Sequence, residues 1–130
     1  MKKNVEKIFE TSFAELTLNL IGDKWKLQIL EKLSEGTKRF GELKKSLGNI
    51  TQKVLTSNLR AMEESGLLVR NVYAQIPPRV EYTLTSVGES LKPVIDTMTA
   101  WGAEYQERLS GFFANAVVNL ETSMTFKEQA

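Results

Sequence analysis

"ITQKVLTSNLRAMEESGLL", residues 50 to 68, is the stretch on which the fold turns. Projected at about 100 degrees per residue, Leu55, Leu59 and Met62 fall together as a core face. Opposite them lie Lys53, Thr56, Ser57 and Arg60, with Gln52 in the first turn and Thr51 placed to cap the helix. This outer face mixes short hydroxyls with long cations, whereas a helix that meets only water usually carries Glu/Lys pairs. The acids Glu63 and Glu64 come only in the last turn.

On the amino-terminal side, "TKRFGELKKSLGN" reads as a shorter helix. Phe40, Leu43 and Leu47 stand at i, i+3 and i+7, with Lys38, Arg39, Lys44 and Lys45 facing elsewhere. Gly48-Asn49 supplies a turn, and two helices joined through such a turn make a helix-turn-helix. On the other side Gly66 stops the helix and the period changes to that of strands. "LLVRNVY" and "VEYTLT" are β-branched and aromatic runs joined by "AQIPPR", too long for a two-residue turn and stiffened by Pro77 and Pro78. A basic helix-turn-helix followed by a two-stranded hairpin predicts a winged helix, with Arg79 at the tip of the wing.

Before this core, residues 4–21 have helical period through Val5, Ile8, Phe9, Phe13, Leu16 and Leu20, and Ser12 with Glu15 fits a capping box, which divides the stretch near Thr11. Asp23 is placed to cap a helix that buries Trp25, Ile29, Leu30 and Leu33 and ends at Gly36. After the wing, a second capping box at Ser86 and Glu89 starts a long helix. Its stripe of Val87, Leu91, Val94, Met98, Trp101, Tyr105, Leu109 and Phe112 is about 80 degrees wide, and Pro93 should kink or break it near Leu91. The stripe is longer than a small winged helix can cover from within, so it predicts a subunit interface. The expected class is therefore mainly α with a small β-hairpin: a winged helix-turn-helix with amino- and carboxy-terminal dimerisation helices. The expected boundaries are a helical region at 1–21, the winged core at 22–85, the second dimerisation helix at 86–113, and a weakly helical or disordered tail at 114–130.

Composition bounds the chemistry. At 130 residues the chain is the size of one domain, with 42% hydrophobic and 25% charged residues, ordinary values for a globular protein. No apolar run approaches the roughly 20 residues that span a bilayer, and no export signal follows the basic opening, so the expected setting is the cytoplasm, away from membranes. Cys and His are both absent, which removes thiol nucleophiles, Cys/His zinc sites and the commonest general base. No nucleophile-base pair, phosphate-cradling Gly loop or acidic metal cluster stands out, and Asp23, Glu42 and Asp96 lack convergent partners; no enzyme, metal or cofactor is expected.

The net charge is only +1, but residues 36–80 carry eight Lys/Arg against Glu42, Glu63 and Glu64, net +5, while residues 81–130 stand at −4. A polyanionic partner responds to that local excess rather than to the total. Double-stranded DNA is the expected partner. Gln52, Lys53, Thr56, Ser57 and Arg60 are the candidate base-reading set: Arg60 for guanine, Gln52 for adenine, the hydroxyls for bases or phosphates. Lys24, Lys26, Lys38, Arg39, Lys44, Arg70 and Arg79 are the candidate phosphate and wing contacts. Phe9, Phe13, Leu16, Val94, Met98, Trp101 and Tyr105 are the candidate dimer interface. The other classes open at this point are a winged-helix protein-interaction module and a non-specific nucleoid-binding protein; heparin retention and competition with random DNA separate them.

With those residues in hand, the chain resembles the HxlR family of bacterial winged-helix transcriptional regulators, themselves similar to the MarR type. The matching stretches are "LIGDKWKLQIL", "GTKRFGELKKSL", "ITQKVLTSNLRAMEESGLL", "PPRVEYTLTSVGESLKP" and "TAWG", in order along the chain. The resemblance implies a homodimer whose first and last helices pair, with two recognition helices on an inverted or direct repeat near a promoter; repression by occlusion is the simplest mode. One departure stands out. Members that sense electrophiles or oxidants carry a cysteine just before the first domain helix, and Ser12 and Phe13 occupy those positions here. Thiol sensing is thereby excluded, and any small-molecule effector, expected in an apolar cavity between dimer helices and winged domain, stays unidentified.

Overall fold

A computed structural model describes residues 12–129, with side chains described through residue 121. The expected helical residues Val5, Ile8 and Phe9 lie outside the described part. The chain divides into two compact units, Met1–Lys92 and Pro93–Ala130.

The first unit opens with α1 (Phe13–Ile21), capped by Ser12, whose hydroxyl accepts the Glu15 N–H at 3.1 Å. In α2 (Lys24–Ser34) the Asp23 carboxylate accepts from the N–H groups of Trp25 and Lys26. Those bonds satisfy donors that the first turn of a helix leaves unpaired. Ile29, Leu30 and Leu33 are buried as expected, but Trp25 is only half-buried, with the Lys24 ammonium 4.8 Å above its ring. Trp25 occupies the first turn of α2, where the core face is only beginning, so the indole keeps one side open.

Strand β1 (Lys38–Arg39) and helix α3 (Phe40–Ser46) follow, then α4 (Gln52–Glu64), β2 (Leu68–Tyr73), β3 (Arg79–Leu84) and a short α5 (Ser86–Glu89). The sheet has three antiparallel strands in the order β1-β3-β2, where a two-stranded hairpin was expected. Lys38 pairs with Tyr82 and Arg39 with Glu81 on one side of β3, while Arg70 and Asn71 meet the same two residues on the other. A two-residue basic strand has no period to read; only its pairing with β3 makes it a strand. A hydrogen bond of 2.8 Å between the Thr37 and Thr83 hydroxyls fixes its start.

The core lies where α2, α3, α4 and the sheet meet: Leu30, Leu43, Leu55, Leu59, Met62, Leu67 and Leu68 are all nearly inaccessible. Gly66, at φ +77°, ends α4 in the left-handed region that glycine enters without steric cost. Thr85 then ties that turn to α5. Its hydroxyl donates to the Gly66 carbonyl at 2.6 Å and accepts the Gly88 N–H at 3.1 Å. Thr85 is thus the helix cap, and the capping box expected at Ser86 and Glu89 gives way because Ser86 is already the first helical residue.

The expected break near Leu91 is present. α5 ends at Glu89 and α6 (Lys92–Gln129) starts anew, with Pro93 in its first turn, where the missing N–H costs no helical bond. Val87, assigned to the long stripe, therefore sits on α5. The tail expected to be weakly helical or disordered is a continuation of α6. No Gly or Pro follows Gly111, so no strong helix breaker interrupts this stretch.

Candidate nucleic-acid interface

α4 is positioned from below and capped from the front. Leu55, Leu59 and Met62 anchor it in the core, and the hydroxyl of Thr51 accepts the Val54 N–H at 3.2 Å. Ile50 is buried just ahead of the cap, and Gly48, at φ +67°, makes the turn between α3 and α4. Asn58, buried among apolar residues, donates its amide to the Val54 carbonyl at 2.9 Å. That bond lets a polar side chain sit inside without an unpaired donor.

The opposite face is open. Gln52, Lys53, Thr56, Ser57 and Arg60 line one continuous concavity along α4, together with Ala61 and Glu64. The five candidate readers are thus brought together as expected; Ala61 and Glu64 extend the face toward the carboxy end of the helix. Neither Lys53 nor Arg60 has an ion-pair partner among the described residues, so both cations remain available to an external anion. A second crevice of about 480 Å³ lies between α4 and the sheet, where Gln52, Thr56 and Arg60 meet Arg70, Tyr82 and Phe40. Arg70 joins α4 there, across an aromatic wall of half-buried Phe40 and buried Tyr82.

The other candidate cations are arranged less uniformly. Lys44 projects from α3 to solvent, but Lys38 and Arg39, expected on that helix, stand on β1, and Lys38 pairs with Glu35 at 3.4 Å. The backbone N–H of Arg39 donates to Glu42 at 3.0 Å, so this acid caps α3 within an otherwise basic surface. Lys26 is half-buried in α2. Arg79 is not at the wing tip: it opens β3, its guanidinium 4.3 Å above the Tyr73 ring and its Nε 3.3 Å from the Glu81 carboxylate. Strand pairing of Arg79 with Tyr73 extends the ladder one residue further than the prolines implied. The fully exposed Ile76 occupies the loop instead.

This geometry, a helix held by its apolar side beside a small sheet and offering polar and cationic side chains outward, is shared with known proteins. The family described as HxlR-like helix-turn-helix matches residues 20–110. The chain belongs to the HxlR family. Among its relatives, Bacillus subtilis YtcD is 50% identical over 97 residues, 75% of this chain and 77% of YtcD. B. subtilis YdeP is 48% identical over 101 residues, 78% of this chain and 79% of YdeP. Both are described as uncharacterized HTH-type transcriptional regulators. The solved structure of YtcD superposes with a TM-score of 0.71, covering 75% of this chain and 99% of that one. The redox regulator HypR in its reduced form gives a TM-score of 0.72 at 41% identity, over 77% of this chain and 99% of its own. Membership makes this HxlR protein a DNA-binding helix-turn-helix transcriptional regulator rather than an enzyme. Among the described residues no helix is long and apolar enough to cross a membrane.

Proposed function

We propose that the protein is a sequence-specific regulator that reads DNA with α4 in the major groove and acts as a homodimer on a repeated site. The observation that carries the reading is the unpaired polar and cationic face of α4, rigidly backed by Leu55, Leu59 and Met62. Gln52, Thr56, Ser57 and Arg60 form the base-reading edge, with Lys53 beside them. Arginine makes the bidentate contact to guanine and glutamine the corresponding contact to adenine, each discriminating by about 1–3 kcal/mol. Lys24, Lys26, Lys38, Arg39, Lys44, Arg70 and Arg79 supply phosphate contacts that fix register and make affinity depend on salt.

Phe13, Leu16, Val94, Met98, Trp101 and Tyr105 are proposed for the subunit interface; Phe9, proposed with them, lies outside the described residues. Phe13 and Trp101 support this because both project to solvent, 89% and 65% exposed, where an apolar aromatic gains nothing from water. Two recognition helices would then meet successive major grooves roughly 34–36 Å apart. Occlusion of a promoter is the simplest regulatory outcome, with the cytoplasm as its setting. In vitro selection of bound DNA tests the reading. A recurrent motif with two half-sites is expected, and a pool that stays random after several rounds would reduce the protein to a non-specific binder.

A further inference from the structure

Along α6 the apolar residues keep a regular spacing: Val94, Met98, Trp101, Tyr105, Leu109, Phe112, Ala116 and Leu120 follow one another at steps of four, three, four, four, three, four and four. The steps repeat every eleven residues, so that Val94, Tyr105 and Ala116 are equivalent, as are Met98, Leu109 and Leu120. On an α-helix such a repeat stays on one face, and it is a period with which helices wind around each other. Every large member of the row is exposed, Val94 and Leu109 least at 38% and Phe112 most at 67%. Trp101 and Tyr105 are already stacked, with ring centroids 5.1 Å apart, as a preformed flat surface. The HxlR match ends at residue 110, and the YtcD structure is used up to 99% while covering 75% of this chain. Phe112, Ala116 and Leu120 therefore continue the row past residue 110, where the HxlR-like helix-turn-helix match ends.

We propose that residues 111–120 lengthen the subunit interface, packing against the amino-terminal half of α6 in a second copy that runs antiparallel. This rests on the homodimer proposed above and names what covers the row beyond residue 110. The repeat points to another helix as the occupant, and a second copy offers the same repeat. Antiparallel pairing centred near Glu107 sets Leu120 opposite the partner's Val94, Ala116 opposite the partner's Met98, and Phe112 opposite the partner's Trp101. The small residue faces the long one, and the aromatic faces the aromatic. In a parallel pair each residue would meet its own copy: two Trp101 side chains would crowd while two Ala116 methyls left a void, and close-packed interfaces tolerate neither. Antiparallel helices also set their dipoles favourably.

Sedimentation equilibrium on the full-length protein tests this with Leu120→Lys, Val118→Lys and Trp101→Asp. Val118 stands on the opposite face of the same turn and is comparably exposed, 57% against 63% for Leu120, so it reports any general effect of a new charge. Leu120→Lys is expected to weaken dimerisation about tenfold or more, since the side chain is buried twice per dimer, and Val118→Lys to leave it unchanged with equal helicity by circular dichroism. If Leu120→Lys dimerises like the parent while Trp101→Asp dissociates, the extension is outside the interface and this inference falls, with the homodimer intact. If Trp101→Asp also stays dimeric, Trp101 too lies outside the interface and this inference falls; a parent that sediments as a monomer overturns the homodimer reading itself. Because the chain has no cysteine, single thiols report orientation cleanly. Mixed Val94→Cys and Leu120→Cys proteins should cross-link on oxidation faster than Leu120→Cys alone; the reverse order overturns the antiparallel arrangement.

Discussion

Arg60 and Arg79 stand in different surroundings, and the proposed function gives them different work. Arg60 has no ion-pair partner among the described residues and projects from a helix whose opposite face is locked in the core, so its guanidinium is free to seek a base. Arg60→Ala is expected to cost about 1–3 kcal/mol on the selected site and to relax preference at one base pair. Fluorescence anisotropy on matched and mismatched duplexes checks it, and equal losses on selected and random DNA would remove Arg60 from the reading set. Arg79 is committed to Tyr73 and Glu81, which orient it and partly offset its charge. Arg79→Ala should therefore weaken selected and random DNA alike, without changing which site is preferred. A change in the motif recovered by selection would assign Arg79 a reading role instead.

At the scale of elements, the junction between α4 and the wing leaves no room at Gly88. Gly88 is buried beneath Leu67, and a Cβ at Gly88 would collide with the Leu67 carbonyl and touch the Leu84 side chain. The Thr85 hydroxyl holds the same junction from the other side. Gly88→Ala is accordingly expected to destabilise the fold by about 1–3 kcal/mol through overpacking, read as a lower urea midpoint. An unchanged midpoint would mean that α5 can shift away without loss. Leu55→Ala, at a fully buried position below the reading face, should cost about 2–5 kcal/mol by the same measurement. Here the cause is a cavity, and α4 would lose the support that aligns its outer face.

For the whole molecule, the predictions concern association. Trp101→Asp places a charge on an apolar row that the proposed dimer buries, where an unpaired carboxylate is strongly disfavoured. A monomer or an aggregate is expected by sedimentation; an unchanged dimer would place Trp101 outside the interface. DNA affinity should fall steeply with salt, because each phosphate-bound cation displaces condensed counterions. Removing Lys44, exposed on α3, should lower the slope of log K against log salt by about one if it contacts a phosphate. No change in slope would leave it a solvated surface charge.

What the sequence alone determined is the set of local rules. The caps at Ser12, Asp23 and Thr51, the core face of α4, the stop at Gly66 and the break before Pro93 each depend on neighbours within a turn or two, so spacing reveals them. The shared orientation of Gln52, Lys53, Thr56, Ser57 and Arg60 was legible for the same reason, since a helix fixes the direction of every side chain it carries. Tertiary structure decided whatever depends on residues far apart in the chain. Lys38 and Arg39 form a strand only because β3, more than forty positions later, offers its free edge. Arg79 is set opposite Tyr73 by strand pairing that the two prolines concealed, and Thr85 displaces Ser86 as a cap because the Gly66 carbonyl lies within reach. Periodicity records which face of an element is apolar; it holds no record of which distant backbone will supply the missing hydrogen bonds.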